Sequence, residues 1–289
     1  RSAEINQAVA EFLSNDMFEE ISNRPMRDLS VEDMLNAAAE SLDSKLSTMP
    51  VADAKLHAAL GRAYWNMERI EQAKSQLELA LDGFRIAGLL GTDDAARAAA
   101  ILVRITAGSG DYDQAEAVYE EISEATARSQ NAHSPAFSEL ELEFAWVLYI
   151  VGEWNKSVDN LTSLVKRPEA ALQPHTTIIA EASSRLGYVL TRLGRFSEAE
   201  HYLRGAKSNV RNLQTTNSIL LADIQTYLGQ VLMETGRLDE ARLELAQARE
   251  AYQTWTASGS NAHQASAEFV LAQIAIQEGN SRAAIREIQ

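Results

Sequence analysis

Five histidines, His57, His133, His175, His201 and His263, are the side chains best suited to acid–base or metal chemistry in this 289-residue chain. Their spacing argues against both. A helical zinc site needs two histidines one turn apart with a glutamate between them, and here the histidines fall in separate segments, where they read as surface or helix-end imidazoles. "SLVK", Ser163 to Lys166, has a Ser-x-x-Lys spacing and "GSG", Gly108 to Gly110, is a glycine cluster, but neither is accompanied by the companion motifs of an enzyme. Glu139, Glu141 and Glu143 read as a solvated charge run rather than a catalytic carboxylate pair. No phosphate loop or dinucleotide fingerprint occurs. There is no cysteine, which removes disulfides, thiol nucleophiles and cysteine zinc sites. The expectation is no catalytic residue, no metal site and no cofactor, hence no enzyme; a lytic or hydrolytic activity would require a catalytic domain outside these residues.

The elements that could carry any other chemistry are helices. Alanine, leucine, glutamate and glutamine abound, prolines number 5 and glycines 14, and alternating valine-rich runs are missing. The net charge of −15 disfavours direct nucleic-acid contact and anionic membrane surfaces. The longest apolar runs, such as "FAWVLYIV" at 144–151, fall far short of the ~20 residues of a membrane helix. The chain opens on "RSAEINQ" and stops shortly after a recurring turn, which reads as a segment of a longer protein.

The helices repeat. "GRFSEAEHYL" at Gly194 returns as "GRLDEARLEL" at Gly236 and more faintly at Gly110 and Gly152. Five residues after each turn comes a small residue: Ala73, Ala115, Ser157, Ala199, Ala241 and Ala284, spaced by 42 residues and finally by 43. One helical turn further lie Leu77, Tyr119, Leu161, Leu203, Leu245 and Ile288, on the same face. Thirteen residues before each small residue stand Leu60, Leu102, Phe144, Leu186, Leu228 and Leu271, followed by Gly61, Val103, Ala145, Gly187, Gly229 and Ala272. Each unit therefore reads as two antiparallel helices, with small residues facing one another so that the backbones approach. The turn glycine suits a left-handed helix end. Glu68 takes its place in the first unit, which predicts a turn closed differently there. Ser134 with Pro135, Thr92 with Asp93 and Asp94, and Pro174 mark helix starts.

A paired-helix repeat with Leu-Gly in the first helix and alanine in the second resembles the tetratricopeptide repeat. "LGRAYWNMERIEQAKSQLELAL", "LGYVLTRLGRFSEAEHYLRGA" and "LGQVLMETGRLDEARLELAQA" carry the pattern most plainly. The 42-residue period is about eight residues longer than the family's usual one and is similar to the long variety found in kinesin light chains and several bacterial regulators. Thr106 and Ser157 depart from the pattern and loosen the register of the second and third units.

The resemblance implies an all-α fold: an α-solenoid of about six hairpins in a right-handed superhelix, with N-terminal capping helices. The expected layout is N-terminal helices over residues 1–50 and an array over 51–289, with units at 52–91, 92–133, 134–173, 174–216, 217–259 and 260–289. It further implies that first helices line a concave groove whose second, fifth, ninth, twelfth and thirteenth positions touch a protein or peptide partner, of which the last three are read here. Those positions here give Arg62, Trp65, Asn66, Arg104, Trp146, Tyr149, Tyr188, Arg192, Gln230, Met233 and Gln273. Aromatics beside arginines inside an acidic chain suit an extended segment bearing carboxylates. Trp154 and Trp255 are read as packing residues.

Ahead of the array, Ile5, Val9, Phe12, Leu13, Met17 and Ile21 form an amphipathic stripe, and Ser30 with Asp33 offers a capping box for a helix running to about Met49, where Pro50 stops it. Val31 lies 42 residues before Ala73, so this helix is expected in a second-helix slot. The run from "AVAEFLSNDMFEE" to "ADAKLHAALGRAYW" looks like the section after the membrane span in bacterial one-span winged-helix regulators of the ToxR/CadC type, or in repeat-bearing serine/threonine kinases. That likeness implies a sensor or effector-docking domain on the periplasmic side of the inner membrane, with any membrane contact made by a segment outside this chain. Self-association is possible in either setting, and the alternative is a soluble cytoplasmic scaffold or chaperone adaptor.

Overall fold

The computed structural model describes residues 30 to 285 except 31, 38, 40–48, 130–132, 168–175, 213–217, 256–261, 281 and 283–284. The stripe from Ile5 to Ile21, Val31, Pro174, His175, Ala284 and Ile288 lie outside the described residues, as do the side chains of Trp255 and His263. Among the described residues every regular element is an α-helix. They run α1 (Pro50–Asn66), α2 (Ile70–Ile86), α3 (Asp93–Gly108), α4 (Tyr112–Arg128), α5 (Pro135–Ile150), α6 (Trp154–Val165), α7 (Thr176–Arg192), α8 (Phe196–Asn212), α9 (Ser218–Glu234), α10 (Leu238–Trp255) and α11 (Ala262–Gln277). The fold is an α-solenoid built from helical hairpins. The chain divides into an N-terminal half, residues 1–147, and a C-terminal half, 148–289, with the boundary inside α5.

Within each hairpin the packing follows from the repeated residues. Ala73, Ala115, Ser157, Ala199 and Ala241 are all fully buried. The glycines of the first helices, however, do not face them. A Cβ placed on Gly61, Gly187 or Gly229 would lie 2.6, 2.4 or 2.6 Å from the Cγ of Leu77, Leu203 or Leu245. The notch left by a missing side chain is thus filled by a leucine one turn beyond the alanine, rather than matched by a second small residue. Each such leucine adds about 2 kcal/mol of apolar burial that a larger residue at the glycine would obstruct. In the second hairpin Val103 replaces the glycine, no notch exists, and Tyr119 stacks on Phe144 with ring centroids 3.8 Å apart.

The turns between paired helices share one hydrogen-bond pattern. Gly110, Gly152, Gly194, Gly236 and Gly279 have φ between 73 and 88°, and the following N–H donates to a carbonyl five residues back: Asp111 to Thr106, Glu153 to Leu148, Arg195 to Leu190, Arg237 to Leu232 and Asn280 to Ala275, all at 2.8–2.9 Å. The first turn closes in the same way, not differently: Glu68 sits at φ 59° and Arg69 N–H donates to Tyr64 at 2.9 Å. Two unused helix-end carbonyls are satisfied only if this residue is left-handed, and that backbone requirement overrides the side chain. Thr106 keeps the register because its hydroxyl bonds to the Leu102 and Val103 carbonyls of its own helix, at 2.9 and 3.1 Å.

Helix starts are capped at Ser134, whose Oγ accepts from Phe137 N–H at 3.1 Å, and at Ser30, where Oγ and the Asp33 carboxylate exchange bonds with each other's backbone N–H. Thr92 precedes α3 but does not cap it; its hydroxyl donates back to the Leu89 carbonyl at 2.7 Å. Pro50 does not merely stop what comes before: it opens α1, where its missing N–H costs nothing. The helical residues 32–37 meet α1 and its turn through Tyr64 hydroxyl to Asn36 (2.7 Å) and a two-pronged Arg69–Glu32 pair (2.8 Å). Arg69 and Glu32 are 37 residues apart, as are Lys207 and Glu244, which join the second helices α8 and α10.

Candidate functional site

First helices of successive hairpins lie side by side, and their side chains meet at a constant offset of 39 residues. This is the 42-residue period less about one helical turn, so the twelfth position of one first helix touches the ninth of the next, and the ninth touches the sixth of the one after. In the N-terminal half this diagonal is Trp65, Arg104 and Glu143. The Arg104 guanidinium lies 5.8 Å from the Trp65 ring centroid, and both its Nε (2.8 Å) and its Nη2 bond the Glu143 carboxylate. Two repeats later, in the C-terminal half, the same three positions are Tyr149, Tyr188 and Tyr227. Here the Tyr149 and Tyr188 hydroxyls are 3.2 Å apart, with ring centroids at 5.3 Å, and the Tyr188 and Tyr227 rings are 4.9 Å apart. Burial, and then the hydrogen bond with Tyr149, push the Tyr188 hydroxyl up to about 12. Burial and the neighbouring Asp223 carboxylate push Tyr227 higher still.

A shallow cleft of about 160 Å³ opens between α1 and α3 in the N-terminal half. It is lined by the apolar Ala58, Ala59, Ala98 and Ile101 and by the charged Lys55, Arg62, Arg97 and Asp94. Asp94 takes Lys55 at 2.9 Å and approaches Arg97 at 3.8 Å, while Arg62 is exposed and meets no carboxylate among the described residues.

The residues expected to face a partner are therefore placed unequally. Trp65 and Arg104 meet, Tyr149 and Tyr188 meet, and Arg192 lies one turn beyond Tyr188 on an exposed surface. Asn66 is exposed at the end of α1, while Trp146, Gln230 and Gln273 are half-buried on their first helices. Met233 is only 3% exposed and presents no surface. Arg104 already has its fork on Glu143.

Other residues differ from their sequence reading. Glu141 and Glu143 are not solvated: both are buried, and Glu143 is held there by Arg104. His57 is not a surface imidazole but 3% exposed, with Nδ1 at 2.7 Å from Gln76 Oε1 and Nε2 at 3.5 Å from Asp53. His133 and His201 are exposed. Trp154, at the start of α6, donates its indole N–H to the Tyr149 carbonyl at 3.0 Å and stacks beside that ring. The sequence pattern alone points neither to the pairing of Glu143 with Arg104 nor to Tyr227, Lys55 and Arg97; the offset of 39 is the signal that finds the first two. Among the described residues no group of three or more His, Asp or Glu side chains could hold a metal ion.

Repeated hairpins of this length, joined by left-handed turns and notched for leucine, define a helical-repeat protein. Residues 178–254 and 54–82 match family models described as tetratricopeptide repeat, and those two stretches are tetratricopeptide repeats. No curated protein sequence matches it. Among solved structures it is similar to the apo form of RapI (TM-score 0.67, 14% identity, 98% of this chain and 93% of that one) and to BtubC from P. vanneervenii (0.64, 14%, 81% and 95%). It is also similar to NprR in complex with its cognate peptide NprX (0.60, 10%, 98% and 75%).

Proposed function

We propose that this chain is a non-enzymatic interaction module whose first-helix face takes an extended protein or peptide segment. The observation that supports this most directly is the diagonal row itself. Aromatic and guanidinium side chains stand next to one another on successive first helices and stay partly exposed, in the manner of binding hot spots rather than core. NprR, a structural neighbour, holds a peptide. In the N-terminal half the cleft offers Arg62, which meets no carboxylate among the described residues, beside a Lys55 and an Arg97 that share Asp94, so a partner's carboxylate would find one uncommitted guanidinium there. The test is Arg62→Glu, read by pull-down of a fluorescent peptide ending in a run of glutamates, with circular dichroism as the control for folding. Recovery is expected to fall by about tenfold or more with helicity intact; undiminished recovery would sink the assignment.

The module's setting follows from the likeness of its N-terminal sixty or so residues to the section after a membrane span. On that reading it is the periplasmic sensor or effector-docking domain of a membrane-bound bacterial transcriptional regulator. An apolar run of about twenty residues encoded upstream of Arg1 is the expected result, and its absence from the gene would remove this setting while leaving the binding reading intact.

A further inference from the structure

The C-terminal half carries a row of four aromatic rings in the order Trp154, Tyr149, Tyr188 and Tyr227, with centroids 6.2, 5.3 and 4.9 Å apart. All four are half-buried. Rings that serve the core of this fold disappear from the surface altogether, as Tyr64 and Tyr252 do at 2% and 1% exposure. A row left partly open on three successive first helices is a platform for something laid across them.

The polar groups at its edge indicate what kind of segment that is. Arg192 lies one turn beyond Tyr188 and Gln230 one turn beyond Tyr227, and neither has a hydrogen-bonding or ionic partner among the described residues. The nearby Asp223 carboxylate already accepts from the Tyr252 hydroxyl at 2.6 Å. The Tyr188 and Tyr227 hydroxyls, raised by burial, stay protonated at neutral pH. The platform thus offers apolar ring faces with an unpaired guanidinium and an amide at its edge, and hydroxyls that are partly committed to each other. An ordinary extended strand brings a backbone N–H at every residue and needs a regular ladder of acceptors, which scattered hydroxyls and one amide oxygen do not form. A proline-rich segment brings carbonyls without N–H groups, flat apolar rings, and a polyproline II shape formed in advance, so that little entropy is lost on docking. That helix rises about 3.1 Å per residue, so one or two residues bridge each of the ring-to-ring steps of 5.3 and 4.9 Å.

Building on the first-helix binding reading, we propose that the tyrosine row docks a proline-rich segment of a partner in the polyproline II conformation. Its rings lie against Tyr149 and Tyr188, and its carbonyls take hydrogen bonds from Arg192 and Gln230. The row and the Lys55–Arg62–Arg97 cleft then read different chemistry, proline-rich in one half and acidic in the other.

The test is calorimetric titration of the full chain with decaproline, with a glycine–serine peptide of equal length, and with the glutamate-tailed peptide. Decaproline is expected to bind at least tenfold more tightly than the glycine–serine peptide. Tyr188→Ala should weaken decaproline at least tenfold and Arg192→Ala about fivefold, while neither changes the glutamate-tailed peptide. Tyr188→Phe, which keeps the ring, should retain most of the affinity. The inference is overturned if wild-type chain binds decaproline no better than glycine–serine, or if both alanine variants bind it as wild type does. Should Tyr188→Ala lose helicity, Arg192→Ala decides alone, and unchanged affinity overturns the proposal. Failure of decaproline with Arg62-dependent binding of the acidic peptide intact removes this inference only; failure of both peptides removes the first-helix reading with it.

Discussion

Glu68 holds a backbone conformation that glycine holds at the five equivalent turns. For an L-residue with a Cβ the left-handed region costs about 1–2 kcal/mol, partly offset because glycine has more freedom to lose on folding. Glu68→Gly should therefore stabilise the chain by roughly 0.5–1 kcal/mol, seen as a higher urea midpoint at unchanged slope. Gly187 and Gly205 make a second contrast. A methyl at Gly187 would press to 2.4 Å from Leu203 Cγ, whereas nothing lies within 4 Å of one at Gly205 on the exposed side of α8. Gly187→Ala is expected to cost about 1–3 kcal/mol by overpacking, and Gly205→Ala to gain about 0.5–1 kcal/mol through helix propensity. Thermal unfolding of the two variants should move the midpoint in opposite directions.

Between elements, charged pairs repeat at offsets of 36 or 37 residues along second helices, as Arg85 with Glu121 and Lys207 with Glu244, and at 39 along first helices. Most are exposed and contribute little. Lys207 and Glu244 are the exception, 13% and 12% exposed, so Glu244→Ala leaves a largely buried ammonium unpaired and should cost about 2–3 kcal/mol, measurable by urea denaturation. These contacts also show where sequence reading stops. Leu77, Leu203 and Leu245 were legible because intrahelical periodicity and the 42-residue repeat fix their face directly. That the notch at Gly61 receives Leu77 rather than Ala73 depends on how far one helix slides along the other, which no residue spacing states. The buried Glu143 was missed for the same reason: its partner, Arg104, is on another helix, and only the packed offset brings the two together. The cleft residues Lys55 and Arg97 occupy helix faces whose neighbours the repeat pattern leaves open.

For the molecule as a whole, titration sets a stability window. Hydrogen bonding to Arg85 holds Glu121 below the ordinary glutamate range; against their burial, Arg237 and Arg204 hold Glu200 below it too. Groups lowered in the folded state contribute stability above their unfolded values that is lost as pH falls through the folded ones. The tyrosines behave oppositely. Tyr188, Tyr227 and Tyr252 are raised chiefly by burial, so their contribution is complete below the ordinary tyrosine value of 10 and is lost as pH rises from there through about 12 for Tyr188. The urea midpoint should stay flat near neutrality, fall below the glutamate range, and fall again above about pH 10. Tyr188→Phe should flatten part of the alkaline limb. An alkaline limb identical in that variant would show that the tyrosine row does not feel its burial.

The shared turn geometry has a consequence for how such a chain can grow or shrink. Each left-handed residue is closed by bonds that reach back no further than five positions, so every turn is locally complete and indifferent to which hairpin precedes it. Cutting at one such glycine and rejoining at the next, as from Gly152 to Gly194, removes one full period and presents the same carbonyls to the same N–H groups. Unequal exchange between gene copies would therefore be edited in whole hairpins, and the length of the array becomes a variable that recombination can adjust without inventing a new joint.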